Sequence, residues 1–351
     1  MQRNYRATSP KACLIDAREE SFSLPSNATT LRNRNGDNLL LLDLDNTLTD
    51  TRRWFADFIL DATADLASAM RAPASVINNL FAEVARATTL HEYGFAVEEI
   101  ACRLKLHRSL SYRKIEEMSE HFWQSFASAH KKIEVYQGVH ETLAQIRTQH
   151  QGLKIVVLTD SPEWVALERL SLTNLLPFVD GVVAIRTEDP RVRQRGYRDC
   201  IKSTRRRIEA VQEKINKQHL LLNMSVPSAF AKPSAGGIEL IAKRLGVVSG
   251  QIIICGDKDT KEGLAAAQWR KKQQLHGHVD RPIHFVRANY GNHDLDHSRY
   301  LELASHIPSL SSGKGKDTPA VPVLSSLDRF DQLNDVLADT LVTSSRRHAV
   351  A

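Results

Sequence analysis

Residues 38–45 read NLLLLDLD, a short apolar run that ends in acids. A run of this length, closed by polar residues, predicts a strand buried on both faces of a parallel sheet. From Asp50 to about His130 the spacing changes. FADFILDATADLASAM and YRKIEEMSEHFWQSFASAH carry apolar residues three and four apart, the period of helices with one buried face. Asp50 or Thr51 is expected to cap the first of these helices. VHETLAQIRTQH predicts a further helix stopped at Gly152, LKIVVL a second buried strand ending at Thr159, SPEWVALERLSLTNLL a helix, and VDGVVAI a third strand. Later in the chain IELIAKRLGV predicts a helix, QIIICGD and RPIHFVRA the fourth and fifth strands, and VPVLSSLDRFDQLNDVL a closing strand and helix. Strands alternating with helices predict an α/β domain around a mostly parallel sheet.

Three stretches break the pattern. Residues 1–36 are polar and without period, the composition of a loosely ordered arm, and 341–351 reads as a tail. HIPSLSSGKGKDTPAVP reads as a surface loop. Residues 187–228 read as a basic helical insertion with few apolar positions. Between Arg186 and Lys217 eleven Lys or Arg stand against five acids, an excess of +6 that equals the net charge of the whole chain. The positive field is therefore local. Over about 191–217 it is either a solvated helix covering the domain or a surface for nucleic acid, a protein partner or an anionic substrate. Tyr197 alone offers an aromatic ring, which argues against a single-strand stacking platform.

Composition narrows the class. At 42% hydrophobic and 25% charged the chain is of ordinary globular make-up. No apolar run reaches the length of a membrane span, and the N-terminal residues contain no apolar segment of the secretory type. Cys13, Cys102, Cys200 and Cys255 are scattered, without a CxxC pair. Reduced thiols in a cytoplasmic protein are the expectation.

The candidate chemistry sits at strand ends. Residues i and i+2 of a strand share a face, so Asp43 and Asp45 are expected close together, each raising the other's pKa unless a cation or a reaction holds them there. LKIVVLTDSP ends in Thr159 and QIIICGDKDTKEG in Asp257, with Asp259 and Glu262 following; AKPSAGG places Lys232 ahead of a proline and a helix. Ligands of parallel α/β sheets bind at the carboxyl ends of strands. Carboxylates, a hydroxyl and a lysine are thus expected to converge on one edge.

In these residues the sequence resembles the haloacid dehalogenase superfamily of hydrolases. Its first motif, DxDxT, is matched by Asp43-Leu44-Asp45-Asn46-Thr47; its second, a Thr or Ser closing the next strand, by Thr159; its third, a lysine, by Lys232; its acidic fourth by Asp257. The later acid of the fourth motif is Glu262 or Asp259, a departure from the usual pattern. The resemblance implies a Rossmann-like parallel-sheet core over 37–50 and 134–340 with an inserted α-helical cap over 51–133. It implies Asp43 as nucleophile toward phosphorus and Asp45 as the acid and base. Mg²⁺ would be held by Asp43, Asp257 and the carbonyl of Asp45, and phosphate by Thr159 and Lys232, with Glu262 orienting Lys232 or metal-bound water. Arg52, Arg53 and Trp54, where the chain enters the cap, are candidates for touching the substrate. Keeping an acid at position 45 favours a phosphatase of a small phosphorylated metabolite over a dehalogenase. A phosphotransferase or mutase on the same site, and a catalytically weak protein that binds a partner through the basic segment, stay open. GNHD at 291–294 is found in dinuclear metallophosphoesterases, but no DxH precedes it and HGH at 276–278 comes before rather than after.

Overall fold

The computed structural model describes residues 38–188, 196–215, 217, 219–247, 250–276, 282–292 and 323–348. The arm at 1–36, the loop at 306–322 and the stretch 293–294 of GNHD lie outside the described residues.

The leucine run forms β1 (Leu39–Leu42), buried along its whole length. Successive side chains point to opposite faces of a strand. Accordingly Leu39 and Leu41 join the core on one side of the sheet, and Leu40 and Leu42 the core on the other. The remaining long strands are β4 (Lys154–Pro162), β5 (Gly181–Ile185), β6 (Leu222–Val226), β7 (Ile252–Gly256), β8 (Ile283–Ala288) and β9 (Val323–Leu327). They make one seven-stranded sheet in the order β6-β5-β4-β1-β7-β8-β9. Every neighbouring pair is parallel. This is a Rossmann-like α/β architecture. Strand β1 lies between β4, reached by the first crossover, and β7, reached on the other side. The chain therefore changes winding direction at β1, the point where a crevice opens at the carboxyl ends of the strands.

Two two-residue strands, β2 (Thr49–Asp50) and β3 (Glu134–Val135), pair antiparallel. Between them run α1 (Arg52–Met70), α2 (Ala74–Thr88), α3 (Ala96–Arg103) and α4 (Tyr112–His130). The β2–β3 ribbon thus brings the exit and return of this helical layer side by side. The layer packs onto α6 (Glu163–Leu172), with Trp123 and Trp164 ring centroids 4.6 Å apart and Phe126 and Trp164 5.4 Å apart. Its apolar residues belong to the same core as Leu39 and Leu41. The other helices are α5 (Val139–Gln149), α7 (Tyr197–Glu213), α8 (Gly236–Leu245), α9 (Leu264–Leu275) and α10 (Leu333–His348).

Four expectations are corrected. The region 187–228 is not helical throughout: it contains β6 at the sheet edge. Paired only by β5 among the described residues, this strand buries Leu222 and Val226 and leaves Asn223 exposed, so its polar middle hid the strand signal. Helix α7 is not solvated all round. Tyr197, Cys200, Thr204 and Ile208 form a buried stripe at helical spacing, and the helix contacts α4 and α6. The tail is shorter than 341–351, because α10 runs on to His348 with no Gly or Pro to stop it. Lastly, Thr51 stands at the head of α1 without capping it; its hydroxyl donates to Asn46 Oδ1 at 3.2 Å instead.

Candidate active site

The edge at the carboxyl ends of β1, β4 and β7 is built by register. Leu42 pairs with Val157 on one side and Cys255 on the other. Thr159 and Asp257 follow these two partners by two residues, while Asp43 and Asp45 follow Leu42 by one and three. Asp43 donates its backbone N–H to the Cys255 carbonyl at 2.9 Å, which fixes it to the end of β7. Beyond it the chain turns sharply. Asn46 takes a left-handed conformation at φ 60°, which Asn tolerates better than most residues. The backbone N–H groups of Leu48 and Thr49 return to the Leu44 carbonyl at 3.0 and 3.1 Å. Tyr290 donates its hydroxyl to the Thr47 carbonyl at 2.8 Å and braces the turn from β8's side.

Asp43 and Asp45 are near enough for the charge of one to act on the other, but they take different partners. Asp43 is buried, and Lys232 Nζ approaches its Oδ1 at 2.5 Å. The same ammonium lies 2.5 Å from Glu262 Oε1. Glu262 is fully buried under the end of β7. Gly256 makes room for it: a Cβ there would come within 2.3 Å of the Glu262 side chain. Asp259, the other candidate for the later acid, pairs with Arg287 at 3.2 Å and stands away from the lysine. Lys232 is anchored through its backbone N–H, which donates to Asp160 Oδ1 at 2.9 Å, while Asp160 Oδ2 accepts from Lys261 Nζ at 2.7 Å. Thr159 is buried, its hydroxyl accepting the Ser161 N–H at 3.1 Å.

Asp43, Asp257 and Glu262 can each offer an oxygen, the three within 4.8 Å of one another. Burial pushes the Asp43 carboxyl from 3.8 up to about 8, against the pull of Lys232 and with the push of Glu262, Asp257 and Asp45. Asp257 is likewise raised by burial. Burial would lower Lys232, but Asp43, Glu262 and Asp160 outweigh it and hold the ammonium charged. Three buried carboxylates are thus met by Lys232 and, at Asp257, by Arg52, and the negative charge left over is what a cation would remove. The donors are all oxygen, which suits a hard divalent ion.

The three residues that open the helical layer fall in different places. Arg52 lies at the site, 3.2 Å from Asp257 Oδ2. The side chain of Arg53 lies outside the described residues. Trp54, expected at the substrate, is instead buried at 5% exposure. Its ring packs against Phe126 and His130 and lies 5.4 Å from the Arg169 guanidinium.

Sequence reading missed the surroundings of Asp45. Its Oδ2 accepts from Ser161 Oγ at 2.5 Å, and its Oδ1 from Arg169 Nη1. Arg169 is fully buried on α6, and its Nη2 donates to Glu92 in the α2–α3 connection. In the sequence it is one half of Glu168-Arg169, a pair that looks like a solvated helix face. Nothing along the chain marks it as buried. His91, next to Glu92, is lowered to about 4 by burial and by the charges of Lys261 and Lys258. It is therefore a neutral imidazole near neutral pH.

Residues 38–211 match the model of the haloacid dehalogenase-like hydrolases. The chain belongs to the haloacid dehalogenase superfamily. The matched stretch contains Asp43, Asp45 and Thr159; Lys232, Asp257 and Glu262 come later in the chain, and the fold brings them to the same edge. Solved structures resemble this superfamily member at low identity. One is a predicted phosphoglycolate phosphatase from Haemophilus somnus, 12% identical, over 87% of this chain and 99% of that one, with a TM-score of 0.41. Another is a 2-haloacid dehalogenase from Pseudomonas syringae pv. tomato, 13% identical over 87% and 99%, with a TM-score of 0.46. A predicted phosphatase from Clostridium acetobutylicum is 14% identical over 87% and 100%, with a TM-score of 0.42. At such identities and scores the likeness carries no activity over to this chain. No curated protein matches it in sequence. Among the described residues no helix is long and apolar enough to cross a membrane.

Proposed function

We propose that this protein is a Mg²⁺-dependent phosphomonoester hydrolase working through an aspartyl-phosphate on Asp43. The observation that carries the reading is the unequal pair at the end of β1. Asp43 is buried against Lys232 and two further acids, whereas Asp45, two residues on, has a quarter-exposed side chain held by separate partners. One carboxylate is thus placed to attack and the other to move protons.

Asp43 forms the bond to phosphorus as the bond to the leaving oxygen breaks. Asp45 delivers a proton to that oxygen, then takes one from the water that hydrolyses the aspartyl-phosphate. Lys232 and Thr159 hold the phosphoryl oxygens, and Glu262 and Asp160 keep Lys232 in place. The Asp43 and Asp257 carboxylates and the Asp45 carbonyl would hold Mg²⁺, which when bound offsets the repulsion between the acids and the phosphate dianion. Arg52 stands at the rim, placed to meet the leaving group. The helical layer between β2 and β3 serves as the cap that excludes water and selects a small phosphorylated metabolite in the cytoplasm.

The test is phosphate release from 4-nitrophenyl phosphate. Activity is expected to disappear with EDTA and return with Mg²⁺ but not with Ca²⁺, whose longer bonds and larger ligand number misplace Asp43. Full activity in EDTA rejects the reading.

The raised Asp43 carboxyl predicts a linked effect that needs no substrate. Between pH 4 and 8 the unfolded chain has lost the proton that folded Asp43 keeps. The native state then binds more protons, so this group makes the metal-free protein less stable as pH rises through that window. Mg²⁺ favours the ionised form and is expected to raise the melting temperature more at pH 8 than at pH 5. Asp43→Asn should shrink the difference to what the raised Asp257 carboxyl contributes. An equal Mg²⁺ shift at both pH values in wild type would show that Asp43 does not bind the ion.

A further inference from the structure

Arg169 is the largest fully buried side chain of the described residues. A buried guanidinium is costly unless its donors are met, and here each group of donors has a named acceptor. Nη1 donates to Asp45 Oδ1 and to Ser161 Oγ, the latter at 3.3 Å. Nη2 donates to Glu92 Oε1. Nε donates to His130 Nε2 at 3.1 Å, and His130 Nδ1 is itself 2.7 Å from Glu168 Oε2. The guanidinium Cζ lies over the Trp54 ring, 5.4 Å from the centroid. The partners come from separate pieces of the fold: Asp45 and Ser161 from the sheet edge, Glu92, His130 and Trp54 from the helical layer. A rigid planar fork is suited to hold two carboxylates at a set spacing, as a lysine is not.

We propose that Arg169 is a positioning residue for the acid–base group. Its guanidinium fixes the Asp45 carboxylate on one side and is fixed by Glu92 on the other, so the helical layer sets where Asp45 points. This rests on the acid–base role proposed for Asp45. Without Arg169, Ser161 is the one side-chain hydrogen-bond partner left to Asp45 among the described residues, and the carboxylate can rotate off the leaving oxygen. Misplacement of about 1 Å costs on the order of a hundredfold in rate.

A general acid matters most when the leaving oxygen is a poor one. The decisive measurement is therefore kcat/KM with Mg²⁺ for 4-nitrophenyl, phenyl and 4-methoxyphenyl phosphates, which differ little in shape but widely in how readily the leaving oxygen carries charge. This parameter covers the steps up to loss of the aryloxide. Arg169→Met is expected to lose at least about tenfold more on phenyl and 4-methoxyphenyl phosphate than on 4-nitrophenyl phosphate. Glu92→Gln, which keeps the shape and Arg169 itself, should steepen the series in the same direction by less. A purely structural role would lower all three values by one factor. A uniform loss, or no loss, in the folded variants overturns the proposal, and if Arg169→Met does not fold, Glu92→Gln alone decides by the same criterion. Failure of the underlying reading looks different: wild type would release no phosphate from 4-nitrophenyl phosphate, or Asp43→Asn would match it.

Discussion

Asp43→Asn is expected to lower the turnover of 4-nitrophenyl phosphate by at least about a thousandfold while leaving the protein folded. The amide has the shape of the carboxylate and can still accept from Lys232, but its oxygen is a poor nucleophile. Burial already presses the Asp43 carboxyl toward its neutral form, up to about 8, so a neutral isostere relieves a charge burden in the metal-free protein. Its melting temperature in EDTA at pH 8 should be no lower than that of wild type. The measurement is steady-state phosphate release from purified variant, with circular dichroism as the control for folding. Retention of more than about a tenth of the wild-type rate would remove Asp43 from the role of nucleophile.

Asp45→Asn is expected to separate the two half-reactions. Loss of a positioned acid or base costs about a hundred- to ten-thousandfold. With 4-nitrophenyl phosphate the leaving oxygen needs little help, so the first half-reaction survives and the loss falls on the water step. Rapid mixing should then show a burst of close to one equivalent of 4-nitrophenol, followed by a slow steady rate. The phosphoryl group should remain on protein after acid quench, and Asp43→Asn in the same chain should abolish it. A variant that turns over at the wild-type rate without a burst would refute the role of Asp45. Both oxygens of that carboxylate already have side-chain partners, which the amide can only partly satisfy. A modest loss of stability is expected alongside.

The framework was legible because burial on both faces writes itself into composition. LLLL, KIVVL, GVVAI and IIIC are apolar without alternation, and they became the central strands of the sheet. β6, β2 and β3 escaped for the complementary reason, whereas the other edge strand, β9, was legible in VPVLSSL. Among the described residues β6 is paired on one side only and keeps polar residues in its middle, and β2 and β3 are two residues each, too short to carry a period. In α7 the basic residues dominated the reading, while a stripe of Tyr, Cys, Thr and Ile supplied the buried face. Thr204 of that stripe donates to the buried Glu98 at 2.6 Å. That polar contact across two helices leaves no trace in either one's pattern.

By itself the sequence determined which groups stand at the sheet edge. Asp43, Thr159 and Asp257 each follow an apolar run by one or two residues, and parallel strands in register bring the ends of such runs to one edge. What only the tertiary structure decided is how those groups are partnered. Asp43 and Asp45 take different partners, Lys232 for the first and Ser161 with Arg169 for the second, a division that strand periodicity does not contain. Lys232 sits 189 residues from Asp43 along the chain and meets it at 2.5 Å. Arg169 and Glu92 enter from a helix and a connection whose sequences look solvated, and both are held inside by each other's charge. A carboxylate or guanidinium is read as exposed because leaving water is costly. That cost is lifted only by a partner, and the partner's position is a property of the folded chain.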